Sequence, residues 1–266
     1  MWTEWHIMKR VESVWSLALA AGLVWVAGCA SGPAKPAPQP TTQLKEATAP
    51  PPVTNAEARI TLPTGAALPP LPFEGEGWQA MFDGQTLAGW RETPFAGHGE
   101  VHCQDGVIVL SMGDPFTGLN WTNEFPKMNY EVALDAMRVM GSDFFCGLTM
   151  PVGTNCCSLI VGGWGGSLIG ISSLNGMDAS ENETTKFSNF ESGRWYRIRL
   201  RVTEKRIQAW IDKEKLMDVD TTDKRISVRP GDIELSQPIG VAAWQTASAL
   251  REIKFRQVSG PAGKGE

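Results

Sequence analysis

Apolar and polar residues alternate with a period of two through most of the chain from residue 73 to residue 258. In the segment 194–203, Tyr196, Ile198, Leu200 and Val202 fall on one side, and the positions between them carry Trp or Arg. Successive side chains of a β-strand point to opposite faces, so this spacing predicts a half-buried strand and not a helix. Similar short runs, separated by Gly, Asn and Asp, occur at 78–82, 106–111, 128–140, 144–150, 158–161, 168–172, 205–212, 216–219, 238–243 and 250–257.

Many short strands joined by turn residues predict one all-β domain, a sandwich or jelly roll of two antiparallel sheets. Residues 73–258 are numerous enough to bury a sizeable core. On the polar side of the 194–203 run, Arg197, Arg199 and Arg201 form a row, and Glu131 and Asp135 occupy the polar side of the 128–140 run. Opposite charges on neighbouring strands attract, so we expect these residues to pair on a solvated outer face. Binding of an anionic ligand is the alternative interpretation.

The start of the chain has the pattern of a bacterial lipoprotein signal peptide, residues 1–28. Lys9 and Arg10 precede an uncharged apolar run at 14–26, which is too short to span a bilayer as a helix. The run ends in Val-Ala-Gly-Cys, which resembles a lipobox and predicts that the thiol of Cys29 is lipidated. No aspartate follows Cys29, so we expect a lipid anchor at the outer membrane, facing either the periplasm or the outside.

Residues 29–72 are rich in Pro, Ala, Thr and Gln. Proline lacks the N–H donor that a sheet needs, so this stretch predicts an extended tether between the lipid and the domain. We expect residues 259–266 to form a second flexible segment.

Charge and cysteine content limit the partners. The net charge of −5 argues against nucleic acid, which requires a basic surface. Lipidation would be the contact with the membrane. The domain's four cysteines show no metal-ligand spacing, and an exported protein is permitted disulfides. The four are Cys103, Cys146, Cys156 and Cys157.

Several stretches in series resemble the 3-keto-disaccharide hydrolase domain family, long catalogued as a domain of unknown function. They are GWQAMFDGQTLAGW at 77–90, QDGVI at 104–108, NYEV at 129–132, GRWYRI at 193–198 and LREIKF at 250–255. The resemblance covers the whole domain and implies a concanavalin A-like lectin/glucanase sandwich. The sequence departs from the family at 243–247 (AWQTA), where many relatives carry a Gln/His element, and at 141–145 and 157–161.

The resemblance also implies cleavage of glycosides whose sugar carries a 3-keto group. A ketone at that carbon acidifies the adjacent C–H, so a modest base can start elimination of the glycosidic oxygen. Such chemistry needs a base, a metal or cationic donor to polarise the ketone, and a platform for the sugar.

Candidate site residues follow from these needs. Trp164 lies among glycines that leave the backbone open to a ligand, so its ring is a candidate platform for a sugar. The alternative is a tight hairpin with the ring packed on the core edge. The polar loop 175–183 offers carboxylates for a base or for a divalent cation such as calcium, unless it is an ordinary solvated loop. The candidate catalytic residues are Asp143, Asp178, Glu181, Glu183 and His102, with His98 as the domain's other imidazole, and the candidate substrate-binding residues are Trp164, Asn182, Trp244 and Gln245.

Three functions remain open at this point: an enzyme that cleaves oxidised glycosides, a carbohydrate-binding module without catalysis, and a structural lipoprotein of the envelope. Turnover, saturable glycan binding without turnover, or a co-purifying protein partner would distinguish them.

Overall fold

Fifteen strands and two short 3-10 helices make up residues 60–258, the part of the chain that the structure, a computed structural model, describes. The helices are Thr64–Ala67 and Asp232–Ser236. The strands are β1 Gln79–Ala80, β2 Trp90–Glu92, β3 Val101–Gln104, β4 Val107–Leu110, β5 Phe116–Trp121, β6 Tyr130–Gly141, β7 Cys146–Val152, β8 Asn155–Gly163, β9 Leu168–Ser172, β10 Lys186–Phe187, β11 Trp195–Thr203, β12 Arg206–Ile211, β13 Glu214–Asp220, β14 Gly240–Trp244 and β15 Thr246–Gln257.

The strands form two antiparallel sheets, which confirms the predicted sandwich. The first sheet has the order β13-β12-β11-β6-β15-β4-β3, with β1 paired to β15. The second has the order β10-β9-β8-β7-β14-β5-β2. Strand β6 lies near the middle of the first sheet and pairs with β11 on one side and β15 on the other.

The core lies between the sheets and uses the apolar positions that the alternation predicts. Tyr196, Ile198, Leu200 and Val202 of β11 are buried there. The hydroxyl of Tyr130 on β6 donates to the carbonyl of Pro151 at 2.7 Å and links the two sheets.

Strand β5 is absent from the predicted strands, because its sequence shows no clear alternation. Five of its six residues are buried, so both of its faces are covered. Asn120 on β5 donates from Nδ2 to the carbonyls of Leu235 and Gln237, at 2.9 and 3.1 Å, which fastens the segment 232–237 to that face.

Two carboxylates of β6 are buried on the outer face of the first sheet, and arginines surround them. Glu131 has no exposed surface and accepts from Arg201 Nε at 2.5 Å and from Arg256 Nε at 2.7 Å. Asp135 accepts from Arg197 and Arg251. Arg199 Nη1 also lies 3.3 Å from Glu131 Oε1. The predicted pairing is therefore present, although the carboxylates are buried instead of solvated.

Residues 60–78 lie across this outer face, and we call them the N-terminal strap. The carbonyl of Leu68 accepts from Arg251 Nη1 at 2.5 Å, and that of Leu71 accepts from Arg197 Nη2 at 2.8 Å. The Arg197 guanidinium also lies 4.0 Å from the centre of the Phe73 ring.

The strap corrects the boundary drawn at residue 73, because residues 60–72 belong to the folded part. Its prolines lack N–H donors for a sheet, but the carbonyls of Leu68 and Leu71 accept from arginine side chains. Ile60, Leu62 and Ala66 also pack against buried side chains of the first sheet. The signal peptide, Cys29, the rest of the predicted tether and the segment 259–266 lie outside the described residues. Within 60–258 no helix has the length and apolar character needed to span a membrane.

We predict that a chain beginning at residue 77 is less stable than one beginning at residue 60. It loses the strap's hydrogen bonds to Arg197 and Arg251, the Phe73 ring and the packing of Ile60 and Leu62. We expect a loss of about 3 kcal/mol in the free energy of unfolding, measured by chemical denaturation. Equal midpoints for the two chains would show that the strap contributes nothing to the fold.

Candidate functional site

A cleft of about 460 Å³ lies on the outer face of the second sheet. Two loops wall it: residues 173–185, between β9 and β10, and residues 221–239, between β13 and β14. Three carboxylates and one guanidinium line it, with aromatic rings and two serines of the sheet. The lining residues are Phe116, Asp143, Phe144, Ser158, Ile160, Trp164, Ser172, Asp178, Arg229, Pro230, Gly231, Asp232, Ile233 and Trp244.

A second apolar cluster holds the two loops against the sheet. Ala179 from the first loop and Ile233 from the second are buried with Phe116, Phe144 and Ile160 of the sheet region. Gly170 of β9 permits the close approach, because a Cβ at that position would meet the Ala179 Cβ at 2.9 Å. The loops are therefore packed against the sheet as the walls of the cleft.

Trp164 lies in the turn between β8 and β9 with its side chain at the cleft. It adopts a positive φ of 49°, and the residue is 44% exposed. An exposed ring is not packed on the core edge, so the structure favours the open interpretation of this turn. Trp244, at the end of β14, is half-buried, and its ring contacts Phe116 edge-on at 4.6 Å between centroids.

Arg138 holds the Trp164 turn from inside the sandwich. Its Nη2 donates to the carbonyls of Gly162 and Gly166, at 3.3 and 2.9 Å, and its Nη1 donates to the carbonyl of Phe190 at 3.2 Å. The side chain is buried, and burial lowers the pKa of the guanidinium. A Cβ at position 162 would lie 2.7 Å from Arg138 Nη2, so glycine is required there for space as well as for its positive φ.

Asp143 lies at the cleft but is held by the backbone. Its Oδ1 accepts from the Phe144 amide at 2.7 Å, and its Oδ2 accepts from the Gly165 amide at 3.1 Å. The carboxylate therefore ties the start of β7 to the turn that carries Trp164.

Asp178 is the loop carboxylate that reaches the cleft. Its Oδ1 accepts from Ser172 Oγ at 2.5 Å and from the Ala179 amide at 2.7 Å. Its Oδ2 lies 2.7 Å from Arg229 Nη1, so it faces a cation across the cleft. Neither Arg229 nor Asp232 is a candidate from the sequence, since nothing in the pattern relates the 221–239 loop to the 173–185 loop.

The other acidic candidates of the 173–185 loop lie outside the cleft. Glu181 is exposed and does not line it. Glu183 lies 2.5 Å from Lys224 Nζ, and this ion pair lowers the pKa of the Glu183 carboxyl. Asn182 is buried: its Nδ2 donates to the carbonyls of Ile171, Met177 and Asp178. Its role as a sugar contact is therefore wrong; it shapes the loop because the buried carbonyls need a donor.

Two further candidates are also not brought to the cleft. His102 lies on β3 of the first sheet, where its Nδ1 is 3.3 Å from Glu100 Oε1. It cannot serve a cleft on the outer face of the second sheet. Gln245 is exposed between β14 and β15, with a positive φ of 43°, and does not line the cleft.

The described residues do not form a metal-binding cluster of three or more His, Cys, Asp or Glu side chains. In the predicted calcium loop, Asp178 faces Arg229 and Glu183 faces Lys224. Carboxylates neutralised by separate cations do not converge as a calcium site requires. All four cysteines between 60 and 258 are free, and burial raises the pKa of Cys146 to about 12.

The fold and the cleft together define an all-β sandwich with an accessible site on one outer sheet face, lined by tryptophan rings and carboxylates. The sequence model of the 3-keto-alpha-glucoside-1,2-lyase-like domain matches residues 77–259. The chain belongs to this family, which confirms the resemblance drawn from its motifs. No curated protein matches the chain.

Solved structures with similar folds share little sequence with the chain. A protein of unknown function with a galectin-like fold from Bacillus subtilis is 11% identical, with a TM-score of 0.47 over 66% of this chain and 92% of that chain. The carbohydrate binding module CBM66 from Bacillus subtilis is 11% identical, with a TM-score of 0.44 over 64% and 96%. Domain 4 of AbnA, a GH43 extracellular arabinanase from Geobacillus stearothermophilus solved with arabinotriose, is 10% identical, with a TM-score of 0.42 over 65% and 84%.

Arg138→Met should loosen the Trp164 turn and destabilise the domain. The backbone carbonyls of Gly162 and Gly166 lose a charged donor, and we expect a loss of about 2–3 kcal/mol in the free energy of unfolding. Acrylamide quenching of tryptophan fluorescence should show that Trp164 is more accessible in Arg138→Met than in the wild-type chain. The contribution of Trp164 is obtained by comparing each chain with the same chain carrying Trp164→Phe. Arg138→Lys keeps the charge but not the planar fork, so an intermediate effect is expected. Unchanged quenching of Trp164 would contradict this role for Arg138.

Proposed function

We propose that the cleft on the second sheet binds and cleaves glycosides of 3-keto sugars, with Asp178 as the base. The observation that carries the proposal is that Trp164, Trp244 and Asp178, from three separate segments, line one cleft in a member of this family. Aromatic rings supply flat apolar area for a sugar face, and a carboxylate supplies a proton acceptor.

The charges of the cleft favour a neutral sugar. Asp143, Asp178 and Asp232 outnumber Arg229, so an anionic ligand such as a uronic acid meets net repulsion. A neutral glycoside meets rings and hydrogen-bonding groups, including Ser158 and Ser172 on the sheet.

A specific observation favours a second candidate function, carbohydrate binding without cleavage. Both oxygens of Asp143 accept backbone N–H groups, and both oxygens of Asp178 already have donors. A carboxylate whose oxygens already have donors is a weaker base, but it can still accept a hydrogen bond from a sugar hydroxyl. Product release distinguishes the two candidates.

The location of the protein in the cell envelope is also a proposal. A lipid on Cys29 would display the domain from the outer membrane, on the periplasmic or the outer side, as the lipobox-like sequence suggests. Mass spectrometry of the membrane fraction, with Cys29→Ala as the control, would detect the lipid and its loss.

The functional proposal is tested on a chain beginning at residue 60, offered 3-keto glucosides and their unoxidised parents. We expect release of the leaving group from the keto compounds and a fall of about 10²–10⁴-fold in Asp178→Asn, because the base is removed. Trp164→Ala should weaken binding about tenfold through loss of the ring.

Glu183→Gln is the matched control, since Glu183 belongs to the same loop but lies outside the cleft. Parallel reactions with calcium and with a chelator test the divalent cation that the loop sequence predicts. Glycan binding with no release from either class of substrate would establish the binding module instead. Equal losses in Glu183→Gln and Asp178→Asn would argue against Asp178 as the base.

A further inference from the structure

Within residues 60–258, Arg229 is the one cationic side chain in the lining of the cleft on the second sheet. It reaches there from the 221–239 loop, and its side chain remains 59% exposed. A guanidinium carries five N–H donors, and the ion pair with Asp178 engages one of its nitrogens, Nη1. Among the residues that the structure describes, no partner occupies its other donors, which lie beside the proposed base.

We propose that Arg229 is a catalytic residue that selects the oxidised form of the sugar by binding its 3-keto oxygen. The inference rests on the proposed function, and it names a group that the sequence did not indicate. A ketone differs from the parent alcohol in having an acceptor without a hydroxyl proton. Arg229 only donates, so it can bind either oxygen, but the carboxylates of the cleft only accept and can bind the hydroxyl alone. The ketone therefore depends on Arg229, whereas the parent alcohol does not.

The same contact stabilises the charge that elimination develops. Asp178 takes the proton from C2, the C2–H electron pair forms C2=C3, and negative charge appears on the C3 oxygen beside Arg229. The enolate then reverts to the ketone as C1=C2 forms and the C1–O bond breaks. The leaving oxygen receives the proton from Asp178, so the products are an alcohol and an unsaturated 3-keto sugar. A fixed cation beside that oxygen stabilises it most when its negative charge is greatest.

The competing explanation is that Arg229 only fastens the two loops together. The chain offers a matched control, because Lys224 makes the same kind of bridge between the same loops. Its Nζ lies 2.5 Å from Glu183 Oε1, outside the cleft. Lys224→Met therefore removes a loop-to-loop ion pair without removing a donor from the cleft.

The experiment compares the wild-type chain with Arg229→Gln, Arg229→Lys and Lys224→Met. A 3-keto glucoside and its unoxidised parent serve as the two probes, and affinity, kcat and KM are measured for each. We expect Arg229→Gln to lower kcat on the keto substrate by about 10²–10³-fold, as loss of an oxyanion donor does. It should also lower affinity for the keto compound more than affinity for the parent. Arg229→Lys should recover part of kcat, and Lys224→Met should keep both kcat and the preference.

The outcomes separate this inference from the proposal on which it rests. If the wild-type chain releases product and Arg229→Gln retains its kcat and its preference, Arg229 has no such role, although the function stands. The same conclusion follows if Lys224→Met reproduces the loss, because loop fastening then explains it. A wild-type chain that neither binds nor cleaves either probe would overturn both proposals.

Discussion

The buried charge on β6 is the constraint on which much of the first sheet depends. A carboxylate that is removed from water and left without a partner costs several kcal/mol, so Glu131 and Asp135 require cations on the neighbouring strands. Because β6 pairs with both β11 and β15, each neighbour contributes arginines to the cluster. The remaining N–H groups of those arginines then donate to carbonyls of the N-terminal strap, which covers the cluster. A polar cluster therefore organises a sheet face that alternation alone would leave to solvent.

The same strand also supports the turn that carries Trp164 at the cleft. Farther along β6, Arg138 turns toward the space between the sheets and fastens the turn that carries Trp164. The outer face of one sheet and the site on the other thus share a central strand. Any substitution that shifts β6 along its neighbours would disturb the arginine cluster and the tryptophan platform together.

Sequence alternation predicts strands where one face meets the core and the other meets polar groups, as in β6 and β11. It fails for β5, whose two faces are both buried, and composition misleads at 60–72, where the carbonyls of Leu68 and Leu71 accept from Arg251 and Arg197. Trp164 and Asp178 are identifiable from residue type and local context. Arg229 is not, because its contact with Asp178 joins loops that are distant in the sequence. Asn182 is misassigned because a buried loop needs a donor as much as a sugar site does.

The strap has a practical consequence for handling the protein. It covers the outer face of the first sheet, whereas the cleft opens on the outer face of the second, and the thickness of the sandwich, with sheets about 10 Å apart, separates them. Residue 60 therefore lies on the side of the domain away from the cleft. In a chain that begins at residue 60, a bead, a sensor chip or a fluorescent fusion joined at that residue would lie away from the cleft and leave it open to large ligands in the medium.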